Sequence, residues 1–260
     1  MTARNEKEGP DCQLSTTNCQ LQTINRQLST AMSQLHNELK KEFQLERLIL
    51  FSDAVFAIAI TLLIIEIKVP EVHENISDKV LLQKLGHLIP KFVGFIVSFL
   101  LIGMYWTVHH RLFGFVTSYD NRLRFLNLAF LFFIVLMPFS TGFYSEYAGS
   151  ELFREQLKVP MTFYVLNFSL AGLINYLMWR YVTNPKHKLA EPPIDLLTAQ
   201  QSKTRALIVP IIFLLMLPVA YFTNVMFAVY IPLLIPFTIR ITKRIIVKKH
   251  MPVKKSIPVT

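Results

Sequence analysis

Long apolar runs alternate with short polar stretches along most of this chain of 260 residues. Each run has the length that a helix needs to cross the hydrocarbon core of a bilayer, roughly 20 residues. The pattern therefore predicts an all-α membrane protein with six transmembrane helices per subunit. Their predicted ranges are 47–69, 91–110, 124–144, 160–180, 205–222 and 225–242. Pro232 and Pro236 are expected to kink the sixth helix.

Two polar tails flank this predicted membrane domain, 47–242. The N-terminal tail, 1–46, is expected to be cytosolic and carries a weak heptad that is typical of a coiled-coil seam, although a solvated tail is the alternative. The heptad consists of Leu14, Leu21, Leu28 and Leu35, with Ile24 and Ala31 at the alternate positions. The C-terminal tail, 243–260, is basic and is also expected to be cytosolic.

The distribution of Lys and Arg indicates how the helices are oriented. Six helices place both termini on one side of the membrane, and that side holds 21 of the 27 Lys and Arg residues. Because positive residues concentrate in cytosolic segments, both termini are expected in the cytosol. This topology also explains the net charge of +10, since the basic residues lie between apolar runs. A nucleic-acid partner is not expected, because such a partner requires a gathered basic surface.

The first predicted helix has two different faces. A carboxylate inside an apolar run needs a partner within the protein, so Asp53, beside Ser52, marks a candidate functional site. A second face follows from the helical advance of about 100° per residue. It consists of Ile58, Thr61, Leu62 and Ile65. Asp53 lies about 140° from Ile58 on this projection, so the polar pair and the aliphatic stripe face different surroundings.

The antiparallel second helix offers partners for the polar pair. Its C-terminal end lies at the same depth and holds Trp106 and His109, which share a helix face at spacing i, i+3. An indole N–H and an imidazole can donate to a buried carboxylate and hydroxyl. The sequence therefore predicts a polar network between the two helices, with Arg47 compensating charge at the cytosolic rim. In the alternative interpretation, His109 and His110 lie among the lipid headgroups.

These segments carry a resemblance to a known family. RLILFSD, from Arg47 to Asp53, followed by AVFAIAITL, resembles the R-x-x-x-F-S-D signature of the transmembrane protein 175 family. This family comprises lysosomal and endosomal potassium channels and their prokaryotic relatives. The YWTVHH end of the second helix is similar to the same family. Animal members carry two repeats, whereas this chain has one F-S-D, so the resemblance implies the prokaryotic form in a plasma membrane.

The resemblance implies a homotetramer whose first helices line a central pore. The hydrophobic constriction of the family maps to Ile58, Leu62 and Ile65, and its threonine maps to Thr61 as an ion-selectivity layer. The signature groups Phe51 with the polar network formed by Arg47, Ser52, Asp53, Trp106 and His109. Glu66 is expected at the outer mouth, with a plain surface acid as the alternative. The implied partners are the bilayer and monovalent cations, with permeant K⁺ and no cofactor or resident metal.

The expected function is a moderately K⁺-selective channel that conducts through a hydrophobic constriction, not an enzyme. A secondary transporter is an alternative because of the prolines in the sixth helix, and a proton-permeable channel is another. An intramembrane hydrolase is disfavoured because Ser52 and Asp53, being adjacent, point about 100° apart. Metal binding by His109 and His110 is disfavoured for the same reason.

Overall fold

The computed structural model describes residues 10–70, 77–148, 158–223 and 231–250, with side chains from residue 24 onward except at 233, 236, 249 and 250. Their regular structure is helical. The α-helices are α1 (Pro10–Ile65), α2 (Asp78–His87), α3 (Ile89–Phe113), α4 (Asn121–Ala148), α5 (Val159–Val182), α6 (Leu196–Phe222) and α7 (Ile235–His250). Two short 3₁₀ turns lie at Pro185–His187 and Ile231–Leu234.

Within the described residues, five helical segments are long and apolar enough to cross a membrane. They are Ile24–Ile65, Ile89–Phe113, Asn121–Tyr147, Val159–Val182 and Leu196–Phe222. These segments correspond to the first five predicted spans. The predicted sixth span, 225–242, begins outside the described residues. Where the description resumes, Pro232 lies in the 3₁₀ turn that precedes α7.

Helix caps lie beyond the ends of the apolar runs. The Asp195 carboxylate accepts the backbone N–H of Thr198 at 2.8 Å, so α6 begins at Leu196 rather than at the predicted residue 205. This backbone hydrogen bond also holds the pKa of the Asp195 carboxyl below its usual value. Asp120 caps α4 in the same way, through the N–H of Leu123 at 2.8 Å. Hydropathy misses these turns because capping residues are polar.

The chain divides into two units, residues 1–47 and 48–260. In the first unit, one side of α1 exposes six large apolar side chains that are 50–71% accessible. They are Ile24, Leu28, Met32, Leu35, Leu39 and Phe43, which we call the N-terminal stripe. Equivalent positions recur every eleven residues, which is three helical turns and differs from the predicted heptad. The side chains of Leu14 and Leu21 lie outside the described residues.

In the second unit, α5 packs between α4 and α6. The Phe168 ring stacks on Phe213 at 5.3 Å, and Tyr105 Oη donates to the Phe168 carbonyl at 2.8 Å. A Cβ at Gly172 would lie 2.8 Å from Pro210 Cδ and 2.9 Å from Tyr105 Oη. The helices therefore approach closely at Gly172 because this position has no side chain.

We predict that Gly172→Ala destabilises the protein by about 1–3 kcal/mol, since the rigid Pro210 ring must move to admit the methyl group. Thermal unfolding of the purified protein in detergent measures the effect. Gly103→Ala is the matched control, because a Cβ at Gly103 meets nothing within 4 Å. An equal melting temperature for the two variants would contradict the close packing at Gly172.

Candidate functional site

The inner face of α1 is packed against the other helices of the second unit. Ser52, Phe56, Ala59 and Leu63 are each 1% exposed or less. Their spacings of four, three and four residues place them on one side of the helix. A single hydroxyl is therefore buried on this face, inside a segment where water cannot satisfy it.

Asn127 of α4 satisfies that hydroxyl and links three helices. Its Nδ2 donates to Ser52 Oγ at 2.9 Å, and Ser52 Oγ donates to the Leu48 carbonyl at 2.9 Å. Asn127 Oδ1 lies 2.7 Å from His109 Nε2. Because an amide oxygen only accepts, His109 Nε2 must carry the proton in this contact. The Asn127 carboxamide thus links α4, on which it lies, to α1 and α3 through buried hydrogen bonds.

A second contact between α1 and α3 lies at the edge of this network. Trp106 Nε1 donates to Asp53 Oδ1 at 2.9 Å, and both side chains are partly exposed. The Trp106 ring also stacks on His110, with 5.5 Å between ring centroids. The contact that the sequence predicted between Trp106 and Asp53 is therefore present. We call these two contacts together the α1 anchor, formed by Ser52, Asp53, Trp106, His109 and Asn127.

His109 occupies a different place from the one predicted. It connects to Ser52 through Asn127 rather than directly, and its ring stacks on Phe130 at 5.6 Å. The imidazole is 1% exposed, so the interpretation of His109 as a headgroup residue is wrong. Because His110 stacks on Trp106, the two histidines face different partners. Among the described residues, no group of three His, Cys, Asp or Glu is placed to hold a metal ion.

Asn127 is the site residue that sequence reasoning missed. A signal was available, since Asn127 lies within the third predicted apolar run, 124–144, and a carboxamide there needs hydrogen-bond partners. Two other residues grouped with the network make different contacts. The Arg47 guanidinium lies 5.9 Å from the Phe43 ring within the N-terminal unit. Phe51 is half exposed and has no polar atom to contribute.

The stripe predicted from helical spacing is exposed in the single chain. Ile58 is 57% exposed, Leu62 38% and Ile65 69%. Thr61 Oγ1 donates to the Ile58 carbonyl at 2.9 Å, so its hydroxyl hydrogen is committed and its lone pairs remain available. Glu66 packs beside α4, since a Cβ at Gly142 would collide with its carboxylate.

A second buried polar cluster joins α3, α4 and α5. Thr141 Oγ1 donates to Ser98 Oγ at 2.8 Å, and Ser98 Oγ lies 3.2 Å from Tyr164 Oη. Asn167 Nδ2 donates to Ser140 Oγ at 3.1 Å in the same layer. These hydroxyls and amides fix the three helices against one another, and the exposed stripe of α1 takes no part in them.

The fold and the α1 anchor define an integral membrane protein of several helices, with one face of α1 held by hydrogen bonds and the opposite face exposed. The sequence model of the family described as endosomal/lysosomal potassium channel TMEM175 matches residues 47–138, a range that contains the whole anchor. A potassium channel of Streptomyces collinus is 36% identical over 155 residues, which are 60% of this chain and 72% of that protein. The chain belongs to the TMEM175 family, a family of ion channels and not of enzymes.

Two further comparisons bear on function. The crystal structure of a lysosomal potassium-selective channel TMEM175 homologue from Chamaesiphon minutus superposes with a TM-score of 0.63 and 26% identity, covering 78% of this chain and 99% of that one. A relative from Gallus gallus, described as an endosomal/lysosomal proton channel, is 34% identical over 142 residues, 51% of this chain and 28% of that protein. Relatives of this chain are thus named for both potassium and protons.

We predict that Asn127→Ala destabilises the protein by about 1–3 kcal/mol for each buried group left unpaired, Ser52 and His109. Thermal unfolding in detergent measures the loss. Asn121→Ala is the matched control on the same helix, because Asn121 is exposed and accepts a hydrogen bond from Arg124.

Asp53→Ala is expected to cost less than Asn127→Ala, since the indole N–H that it leaves unpaired remains near solvent or headgroups. A larger loss at Asp53 than at Asn127 would contradict the central place given to the carboxamide.

Proposed function

We propose that this chain assembles as a homotetrameric, moderately K⁺-selective channel whose pore is lined by the exposed stripe of α1. Ile58, Leu62 and Ile65 of the four copies would surround a central axis. The observation that carries the proposal is the arrangement of α1, with one face anchored to its own bundle and the aliphatic stripe directed away from it. The potassium-selective homologue of similar fold supports the choice of ion.

Thr61 distinguishes this stripe from an ordinary lipid-facing surface. Its hydroxyl hydrogen is bound to the Ile58 carbonyl, so the oxygen offers lone pairs to whatever approaches from outside the helix. Oxygen lone pairs carry partial negative charge and can therefore coordinate a cation. In a tetramer, the four Thr61 oxygens would form a layer next to the constriction made by the four Ile58 side chains. This layer would serve as the ion-selectivity layer.

The proposed mechanism is permeation through an apolar neck. Such a constriction blocks ions by dewetting and conducts when it is wide enough to hold water. K⁺ is less strongly hydrated than Na⁺, so partial dehydration at Thr61 and in the neck costs less for K⁺. The α1 anchor supports this mechanism because its hydrogen bonds fix the rotation of α1 and therefore the direction of the stripe.

The proposed topology places both termini in the cytosol and the protein in a prokaryotic plasma membrane. The positive-inside asymmetry supports this orientation. Glu66 would then lie at the outer end of α1, at the rim of the mouth rather than on the pore axis, since it packs against Gly142. We further propose that copies of the N-terminal stripe pack together as a parallel coiled coil that reinforces the tetramer.

We predict that Ile58→Asn raises the K⁺ current about tenfold, the effect of lowering a dewetting barrier by ~1.4 kcal/mol, and weakens the preference for K⁺ over Na⁺. Flux into liposomes containing the purified protein measures both properties. Ile64→Asn is the matched control, because Ile64 is also exposed but lies about 120° from Ile58 on the helix. Unchanged flux in Ile58→Asn would remove this residue from the pore.

A proton-permeable channel is the second candidate function, favoured by the relatives named as proton channels. The same liposomes with a pH-sensitive dye separate the two, since a proton channel acidifies the lumen without requiring K⁺. A secondary transporter would instead show flux that saturates and depends on a coupled ion.

We predict that Leu28→Glu combined with Leu39→Glu weakens subunit association by about tenfold or more, because charges would enter the packed seam. Mass photometry at decreasing protein concentration measures the association. Ser33→Glu combined with Asn37→Glu adds the same charge on the opposite face of the helix and should leave the assembly unchanged. Equal dissociation of the two variants would contradict a coiled coil at the N-terminal stripe.

A further inference from the structure

Two adjoining cavities lie where α4 begins and α5 ends. Their volumes are about 370 and 360 Å³, and both are lined by Arg122, Leu126 and Tyr181. They therefore form one continuous depression, which we call the α4–α5 groove. Its remaining lining residues are Asn121, Phe125, Leu177, Arg180, Asn184 and His187. None of these residues belongs to the α1 anchor or to the proposed pore.

One half of the groove is basic and polar. The guanidinium groups of Arg122 and Arg180 are exposed, and neither forms an ion pair within the described part of the chain. His187 is held in place by its stack on the Tyr181 ring, with 4.0 Å between centroids. Its Nδ1 lies 2.9 Å from the Tyr181 carbonyl. Because a carbonyl only accepts, Nδ1 carries the proton there and Nε2 remains for another partner.

The nearby carboxylate does not neutralise both arginines. Desolvation would raise the pKa of Asp120, but the hydrogen bond from Tyr181 Oη and that from the Leu123 N–H outweigh it and lower the pKa below its usual value. Asp120 is therefore charged at neutral pH, with its oxygens bound to Tyr181 and Leu123. Arg122 and Arg180 carry two positive charges and Asp120 carries one negative charge. The excess positive charge would be balanced by the negative charge of a single phosphate.

The other half of the groove is apolar and lies farther along the spans. Phe125 is 71% exposed and Leu177 36% exposed, and both lie within segments that are apolar enough to cross a membrane. Arg122 and Arg180 lie near the ends of the same segments. In two candidate spans, exposed apolar side chains therefore lie next to a basic end. A phospholipid has the same order, since its charged headgroup adjoins its acyl chains.

From this arrangement we propose that the α4–α5 groove binds an anionic phospholipid. Arg122 and Arg180 hold its phosphate, Asn184 and His187 supply further polar contacts, and its acyl chain lies along Phe125 and Leu177. A soluble phosphate compound would use the basic half alone and would leave the apolar half exposed. In the topology proposed above, the lipid belongs to the cytosolic leaflet. The binding itself is independent of ion conduction and of the subunit number.

The test measures lipid retention by the purified protein of 260 residues. The protein is incorporated into nanodiscs that contain phosphatidylcholine with one fifth phosphatidylglycerol, extracted into mild detergent, and analysed for bound lipid by native mass spectrometry. We expect bound phosphatidylglycerol to be enriched over its share in the nanodisc. Arg122→Gln combined with Arg180→Gln should lower the ratio of bound phosphatidylglycerol to bound phosphatidylcholine about 25-fold, at about fivefold for each basic residue near the membrane surface.

Two controls separate the groove from general charge and from soluble phosphates. Arg240→Gln combined with Lys243→Gln removes the same charge from exposed positions of α7 and should retain the enrichment. Phe125→Ser should weaken retention of phosphatidylglycerol, because it removes an acyl contact. Excess glycerol 3-phosphate should not displace the lipid.

Three results would overturn the proposal. The first is a wild-type protein without enrichment. The second is a groove variant that keeps the enrichment, or an α7 variant that loses it to the same extent as the groove variant. The third is displacement of the lipid by glycerol 3-phosphate, which would mean that the basic half acts alone. Because bound lipid is measured without any ion flux, these results are independent of the outcome for the channel.

Discussion

The structure depends on one carboxamide placed where three helices meet. Asn127 donates to Ser52 and accepts from His109, so a single side chain satisfies a hydroxyl of α1 and an imidazole of α3. Inside a membrane these groups have no water to replace a lost partner, so the three helices are held in the one arrangement that satisfies them all. The rotation of α1 follows from this constraint, and the direction of its aliphatic stripe follows from the rotation.

The division of α1 into two faces connects the fold with membership of a channel family. Ser52, Phe56, Ala59 and Leu63 on the inner face of α1 are buried within the chain. Ile58, Leu62 and Ile65 on the stripe are exposed. The α4–α5 groove lies elsewhere, at the ends of two other spans, and its charge is suited to a lipid rather than to a permeating ion. The proposed conduction path and the proposed lipid site therefore lie on separate surfaces of the chain.

Much of this arrangement could be predicted from the sequence. Apolar runs gave five spans that the structure contains, and the common depth of two antiparallel helix ends predicted the contact between Trp106 and Asp53. Other predictions failed for physical reasons. The start of α6 was placed too late, because the Asp195 cap lies outside the apolar run. The partner of His109 was missed, because Asn127 is a single polar residue whose effect disappears when hydropathy is averaged over a span.

The sequence by itself determined the helical class, the approximate positions of five spans and the family, because these depend on local hydropathy and on a contiguous signature. Only the tertiary structure decided which polar groups pair, because pairing depends on the rotation of each helix against its neighbours. His109 and Trp106 are three residues apart on α3, yet one faces Asn127 and the other Asp53. The α4–α5 groove likewise exists only after folding, since Arg122 and His187 come together from segments far apart in the chain.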